Sequence, residues 1–250
     1  MAYGQFAFIY DHLMEDVPYD QWVTFVKTVK EKYHPTKDSY TVVDVGCGTG
    51  ELAIRFAKEG WNVAGVDLSE SMLAVAHEKS AKAGLAIPYY EQNMTELDGF
   101  SGADCITIFC DSLNYLRTIE EVQQTFKAVY DQLDNDGIIL FDVHSLFKMT
   151  QIFMNATFTN SEEDVAYIWN CFPGEEPNSV EHELSFFVLN EDTGLYSRFD
   201  EVHYQRTHCV EVYKKWLEEV GFTLLSVTGD FSVDFLADQS ERVFFVAQKK

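Results

Sequence analysis

Apolar residues recur along this chain with two periods, and where the period changes the predicted element changes with it. In the stretch 19–33, Trp22, Phe25, Val26, Val29 and Tyr33 fall at helical spacing, with Pro18 suited to a first turn and Pro35 beyond the end, so an amphipathic helix is predicted. The run 40–45 is nearly continuous in apolar residues and ends in glycines, which reads as a strand buried on both faces. Leu52, Ala53, Phe56 and Ala57 then mark one face of a helix that Gly60 stops. The unit repeats with a strand at 63–66, Ser69 as N-cap, and a helix carrying Met72, Leu73 and Ala76 that ends near Gly84. Further strands are predicted at 87–91 and 103–109. Thr118 and Glu121 form a capping box ahead of a helix that buries Val122, Phe126, Val129, Tyr130 and Leu133, and 138–143 supplies a fifth strand.

Strands alternating with helices at this rhythm predict an α/β doubly wound, mostly parallel sheet covered on both faces. The alternation breaks after His144, where 164–172, 179–190 and 195–206 read as three extended segments, the last two joined by a hairpin-like turn ending at Gly194. A helix with Val212, Trp216, Leu217 and Val220, closed by Gly221, returns the chain to the sheet, and two strands at 222–228 and 242–248 complete it at seven. Their short connection implies that these two run antiparallel to each other. The expected organisation is a single domain, 1–250: an N-terminal helical segment (1–37), a core (38–145 and 210–250) and an antiparallel β cap (146–209).

Composition narrows the function more than the fold. At 250 residues, 46% hydrophobic and 15% aromatic, the chain can build one sizeable core. Its formal net charge of -23 repels phosphate backbones and anionic membranes, and no run of Lys or Arg builds a local basic groove, so neither nucleic acid nor a membrane is an expected partner. The five cysteines form no CxxC pair and no even framework, which suggests neither a disulfide scaffold nor a metal site. No leader-like segment or run of about 20 apolar residues is seen, and a cytoplasmic location is expected.

The candidate chemistry begins where the first strand turns into its helix, at Asp44-Val-Gly46-Cys47-Gly48-Thr-Gly50, with Asp67 ending the next strand. Glycines there permit tight turning and let a ligand lie against bare backbone. A dinucleotide would bring its pyrophosphate toward Asp44, and its fingerprint is GxGxxG rather than the GxGxG found here. S-adenosylmethionine (SAM) brings an ammonium and a sulfonium, both cations, which a nearby acid favours. Asp67 suits the two ribose hydroxyls, since a carboxylate offers two acceptor oxygens. The bland alternative is that both acids merely complement helix N-termini.

The runs VVDVGCGTG, VAGVDLSESML and YYEQNMTEL resemble those of bacterial class I SAM-dependent methyltransferases, the group that includes glycine N-methyltransferase and the deoxysugar-amine dimethyltransferases. The resemblance covers about 38–145, extends to Tyr10-Asp11 and is weak across the cap. It implies a Rossmann-like fold in which Gly46, Cys47 and Gly48 lie under the methionine part of SAM and Asp44 supports its amino group. It further implies that Asp67 holds the ribose and that Leu68 and Met72 sandwich the adenine. Asn93 would meet the adenine amino group, the Met94 backbone a ring nitrogen, and Cys110 would offer a carbonyl. Tyr10 would close over the cofactor carboxylate, unless it only staples the N-terminal segment.

Methyl transfer from a sulfonium is an in-line displacement that asks for alignment and exclusion of water, with a base only if the acceptor must lose a proton. Residues expected to overhang the methyl group are Asp111, Asn114, Tyr115 and His144, with His144 the best base candidate. On the cap, Glu201, His203 and Gln205 alternate with Val202, Tyr204 and Arg206, so either face could select the acceptor, and the same sheet could instead make a homodimer contact. The expected substrate is a small-molecule methyl acceptor with an N or O nucleophile. A methyltransferase acting on RNA or protein, a non-catalytic SAM-binding protein and a nucleotide-dependent oxidoreductase are the alternatives.

Overall fold

The structure, a computed structural model, describes residues 10, 11, 13–232 and 235–250; 1–9 and 12 of the expected N-terminal segment, and 233–234 of the core, lie outside the described residues. The helical pattern near the N-terminus becomes α1 (Tyr19–Tyr33), which buries Trp22, Val23, Phe25, Val26 and Val29. Burying each of these side chains contributes about 1.5–3 kcal/mol. Along the chain follow β1 (Thr41–Val45), α2 (Glu51–Lys58), β2 (Asn62–Asp67), α3 (Glu70–Lys82), β3 (Tyr89–Glu91), β4 (Ala103–Ile108), α4 (Ile119–Gln132) and β5 (Leu133–His144). The predicted caps are made: Ser69 Oγ accepts the Met72 N–H, and Thr118 and Glu121 bond reciprocally.

After β5 the chain leaves the core for β6 (Thr157–Ser161), β7 (Val165–Pro173), β8 (Ser179–Asn190) and β9 (Leu195–Arg206), then returns through α5 (Val210–Val220), β10 (Phe222–Gly229) and β11 (Arg242–Lys249). The main sheet has seven strands in the order β10-β11-β5-β4-β1-β2-β3, and β11 pairs antiparallel with both β5 and β10. Because a strand sends successive side chains to opposite faces, Val42 and Val43 enter different cores. Val42 joins the α1, α2 and α3 layer, while Val43 joins the layer of α4 and α5.

The cap is a four-stranded antiparallel sheet, β6-β7-β8-β9. The expectation of three strands is corrected here: β6 is an edge strand of sequence TFTNS, too polar and half-exposed to show an apolar alternation. The cap has its own small core of Met149, Phe153, Cys171 and Val180. Among the described residues no helix is long and apolar enough to cross a membrane. β1 lies between β4 and β2, so strand order reverses there and a crevice opens at the carboxyl ends of the strands.

Candidate active site

The glycine loop turns sharply because Gly46 and Gly48 adopt φ of 71° and 53°, values that favour glycine. Gly46 and Cys47 donate their N–H groups to the Val66 carbonyl, which ties the loop to β2. A Cβ on Gly46 would stand 2.7 Å from the Ser112 side chain, whereas one on Gly48 would meet nothing within 4 Å. The loop therefore packs tightly on one side and leaves its other side open to a ligand.

Asp44 is 2% exposed, and its Oδ1 accepts from the Thr107 hydroxyl at 2.8 Å. Its Oδ2 is buried without a partner among the described residues. Burial pushes this carboxyl up to about 7, against the Thr107 bond that lowers it. An orphaned, buried carboxylate oxygen beside an open glycine loop fits a cationic group, as the ammonium of SAM requires. Asp67 Oδ2 accepts the Gly48 N–H at 2.8 Å and Oδ1 the Ser69 N–H at 2.9 Å. That grip orients both oxygens while leaving each a lone pair for a hydroxyl donor. Burial raises the Asp67 pKa, and the backbone bonds oppose the rise.

The residues expected around the adenine are less enclosed. Leu68 is 67% exposed, Met72 is half-buried, and Asn93 is exposed with its Oδ1 already taken by the Thr95 N–H. Met94 is half-buried and packs into the core layer of α4 and α5. Tyr10 bonds to Tyr19, and burial followed by the neighbouring Tyr19, Cys110, Tyr115 and Asp111 holds its phenol well above the usual range. Those neighbours set Tyr10 between the N-terminal segment and the end of β4.

The part of the crevice expected to overhang the methyl group is assembled around a strained turn. Cys110 and Asp111 both adopt left-handed backbone, φ 53° and 55°, uncommon for non-glycine residues and costly enough to need outside support. Asp142 on β5 gives that support, accepting the Cys110 N–H at 3.3 Å and the Asp111 N–H at 2.8 Å. The same carboxylate accepts from Trp22 Nε1 at 2.5 Å and Arg242 Nη1 at 2.6 Å. Arg242 also donates to Asp111 Oδ1 at 2.9 Å. Burial works against a charged Asp111, but His144 and Arg242 beside it more than offset that and hold its carboxyl below the usual range.

His144 Nε2 lies 3.3 Å from Asp111 Oδ2. Because an ionised carboxylate only accepts, this contact places the proton on Nε2 and leaves Nδ1 as the bare lone pair. Nδ1 is buried without a partner among the described residues. Burial pushes the imidazole below its ordinary value despite the pull of Asp111, so the neutral form persists. Gln205 Nε2 donates to Asp111 Oδ2 at 2.7 Å, joining β9 of the cap to the core, and Gln205 Oε1 meets His182 Nε2 at 3.1 Å. The Glu201, His203 and Gln205 face of β9 is thus the one turned inward, with His203 edge-on to Tyr115 at 5.8 Å.

Asn114 is placed differently from the crevice-facing position expected of it: it is fully buried, its amide clamped between the His144 N–H and the Arg206 carbonyl. It braces β5 against β9. Sequence reasoning passed over Asp142, Arg242 and Trp22. The available signal was Asp142 itself, a charge inside the otherwise apolar run 138–143 that had to be paired. A cavity of about 370 Å³ opens beside the turn, lined in part by Met14, Trp22, Cys110, Asp111 and Arg242.

A doubly wound sheet with a glycine loop, two strand-end carboxylates and an open crevice between them is the frame of a SAM-binding enzyme. Comparison with known proteins agrees: residues 42–137 match the family described as "Methyltransferase domain". A protein of Geobacillus sp. (strain WCH70) assigned as a methyltransferase is 53% identical over 249 residues, covering 100% of both chains. The crystal structure of a SAM-dependent methyltransferase from Clostridium acetobutylicum ATCC 824 superposes with a TM-score of 0.88 at 29% identity, covering 100% of this chain and 99% of that one. A glycine/sarcosine N-methyltransferase of Aphanothece halophytica is 24% identical over 90% of this chain and 80% of its own. The chain belongs to the class I SAM-dependent methyltransferases.

Proposed function

We propose that this methyltransferase acts on a small molecule with a nitrogen or oxygen nucleophile. The observation that carries the reading is the cavity of about 370 Å³ at Cys110 and Asp111, which has the volume of a small-molecule site. One of its walls, Asp111, is pinned from the cap by Gln205. The net charge of -23 disfavours RNA, and the likeness to a glycine/sarcosine N-methyltransferase supports an amine as acceptor.

When bound, SAM supplies a methyl group on a positively charged sulfur. The chain then has to align the acceptor, exclude water and, where the acceptor is protonated, take up a proton. Asp44 would hold the cofactor ammonium and Asp67 its ribose. The proton would pass to Nδ1 of His144, with Asp111 fixing the tautomer and steadying the imidazolium that forms. Asp111 stays ionised throughout, because Arg242 and His144 keep it so.

The test is to incubate the protein with methyl-labelled SAM and, in parallel, with pooled amine and hydroxyl metabolites, total RNA and total protein. Label is expected in the small-molecule pool. Label confined to RNA or polypeptide would overturn the proposal.

A further inference from the structure

Asp11 is not part of the cofactor contacts described above, yet it joins three parts of the chain that are remote in sequence, one of them the glycine loop. Its Oδ1 accepts from Thr49 Oγ1 at 2.5 Å, and Thr49 belongs to the glycine loop. Its Oδ2 accepts from Lys79 Nζ at 2.6 Å, and Lys79 belongs to α3, the helix after β2. Lys79 also pairs with Glu51 of α2 at 2.7 Å and reaches Thr49 Oγ1 at 3.4 Å. One carboxylate therefore bridges the N-terminal segment to the elements that follow both cofactor-binding strands.

The bridge is made where it can matter. Thr49 is 1% exposed, while the side chains of Asp11 and Lys79 are 33% and 22% exposed, so the pair is shielded but reachable by salt. Tyr10, next to Asp11, is near enough to Cys110, Asp111 and Tyr115 to feel their charge, so what holds Asp11 also helps to hold Tyr10 near the end of β4. Arg55 of α2 adds a second tie between Glu51 and Asp20 of α1, at 3.3 and 3.5 Å.

We propose that Asp11 is a positioning residue that clasps the N-terminal segment onto the glycine loop, so that the Asp11–Thr49–Lys79 cluster sets how long the cofactor and its product stay bound. Its effect falls on release rather than on the chemical step, and it holds whichever acceptor the enzyme uses.

The experiment is stopped-flow fluorescence of S-adenosylhomocysteine release from the wild type, Asp11→Asn, Lys79→Met and the double variant. A shielded, charge-assisted clasp predicts release about 3- to 10-fold faster in either single variant. The double variant should be no faster than the faster single one, since both substitutions break the same bridge. Raising salt from about 50 mM to about 500 mM should speed release from the wild type and leave Asp11→Asn unchanged. Lys27→Met, which breaks the surface pair with Glu59, should release product at the wild-type rate. Wild-type release from Asp11→Asn and Lys79→Met, or additive effects in the double variant, would overturn the proposal.

Discussion

The two halves of the crevice are built in opposite ways. The cofactor half is local: Asp44, the glycine loop and Asp67 lie within one strand–helix–strand unit, and their bonds run mostly to neighbouring backbone. The half proposed to take the acceptor is assembled from distant pieces, with Trp22, Asp111, Asp142, Gln205 and Arg242 meeting around two carboxylates. The first half can stay constant while the second is rebuilt, because the second draws on elements outside that unit. That division suits a family that keeps one methyl donor and changes its acceptor.

The sharpest way to separate the halves is to remove the bare lone pair of His144. Replacing His144 by Gln keeps a donor toward Asp111 but removes the basic nitrogen. Methyl transfer to an acceptor that must lose a proton should slow about 10²- to 10⁴-fold in single-turnover measurements. SAM affinity should stay within about twofold. Because burial lowers the His144 pKa, wild-type activity should persist to a pH below the usual imidazole range before protonation removes it. A variant that loses cofactor binding and turnover together would show that the halves are not separate.

The converse substitutions come next in size. Asp44→Asn and Asp67→Ala each remove hydrogen bonds to a cation or to paired hydroxyls, worth about 1.5–3 kcal/mol, so SAM affinity measured by calorimetry should fall about 10- to 100-fold. The glycine loop itself should stay folded in Asp44→Asn, because Thr107 keeps an acceptor there.

The same contrast explains what could be read from the sequence. Asp44, Gly46, Gly48 and Asp67 announced themselves because their meaning lies in short-range order: a buried strand, a turn that demands glycine, and a second strand ending in an acid. The alternation of strands and helices gave the main sheet for the same reason. Asp142 gave only the weaker signal of a charge that needs a partner, and nothing short-range pointed to Arg242, which lies one hundred positions away and becomes that partner only when β11 pairs with β5. β6 was missed because an edge strand can be polar and still pair, here with β7 alone. The strain at Cys110 is equally invisible in sequence, for cysteine does not predict left-handed backbone, and the tolerance of Asp111 for it is too general to mark a site.

The titration of Asp44 gives a smaller but more specific effect. Its carboxyl is raised from 3.8 to about 7 in the folded protein, so its contribution to stability is fully present below 3.8 and is lost as pH climbs through 7. A cationic ligand favours the charged form and reverses this preference. SAM should therefore bind with release of a proton, and its affinity should weaken by up to about tenfold per unit as pH drops below 7. Calorimetry in buffers of different ionisation enthalpy measures the proton directly. Asp44→Asn should abolish both the release and the slope, and a slope that survives in that variant would assign it to another group.

The smallest effect tests the tie between the cap and the core. Gln205→Ala removes the bond to Asp111 and leaves His182 Nε2 without its partner, at a cost of about 1–3 kcal/mol in denaturant unfolding. Asp111 keeps its contacts with Arg242 and His144, so the strained turn should hold and the cofactor should bind as before. What should change is acceptor affinity, because the wall facing the acceptor is no longer held from above. Unchanged acceptor affinity in a destabilised protein would assign Gln205 to the cap alone. A parallel loss of SAM affinity would mean that the cap reaches the cofactor half through Asp111, and that the two halves, although built separately, work as one.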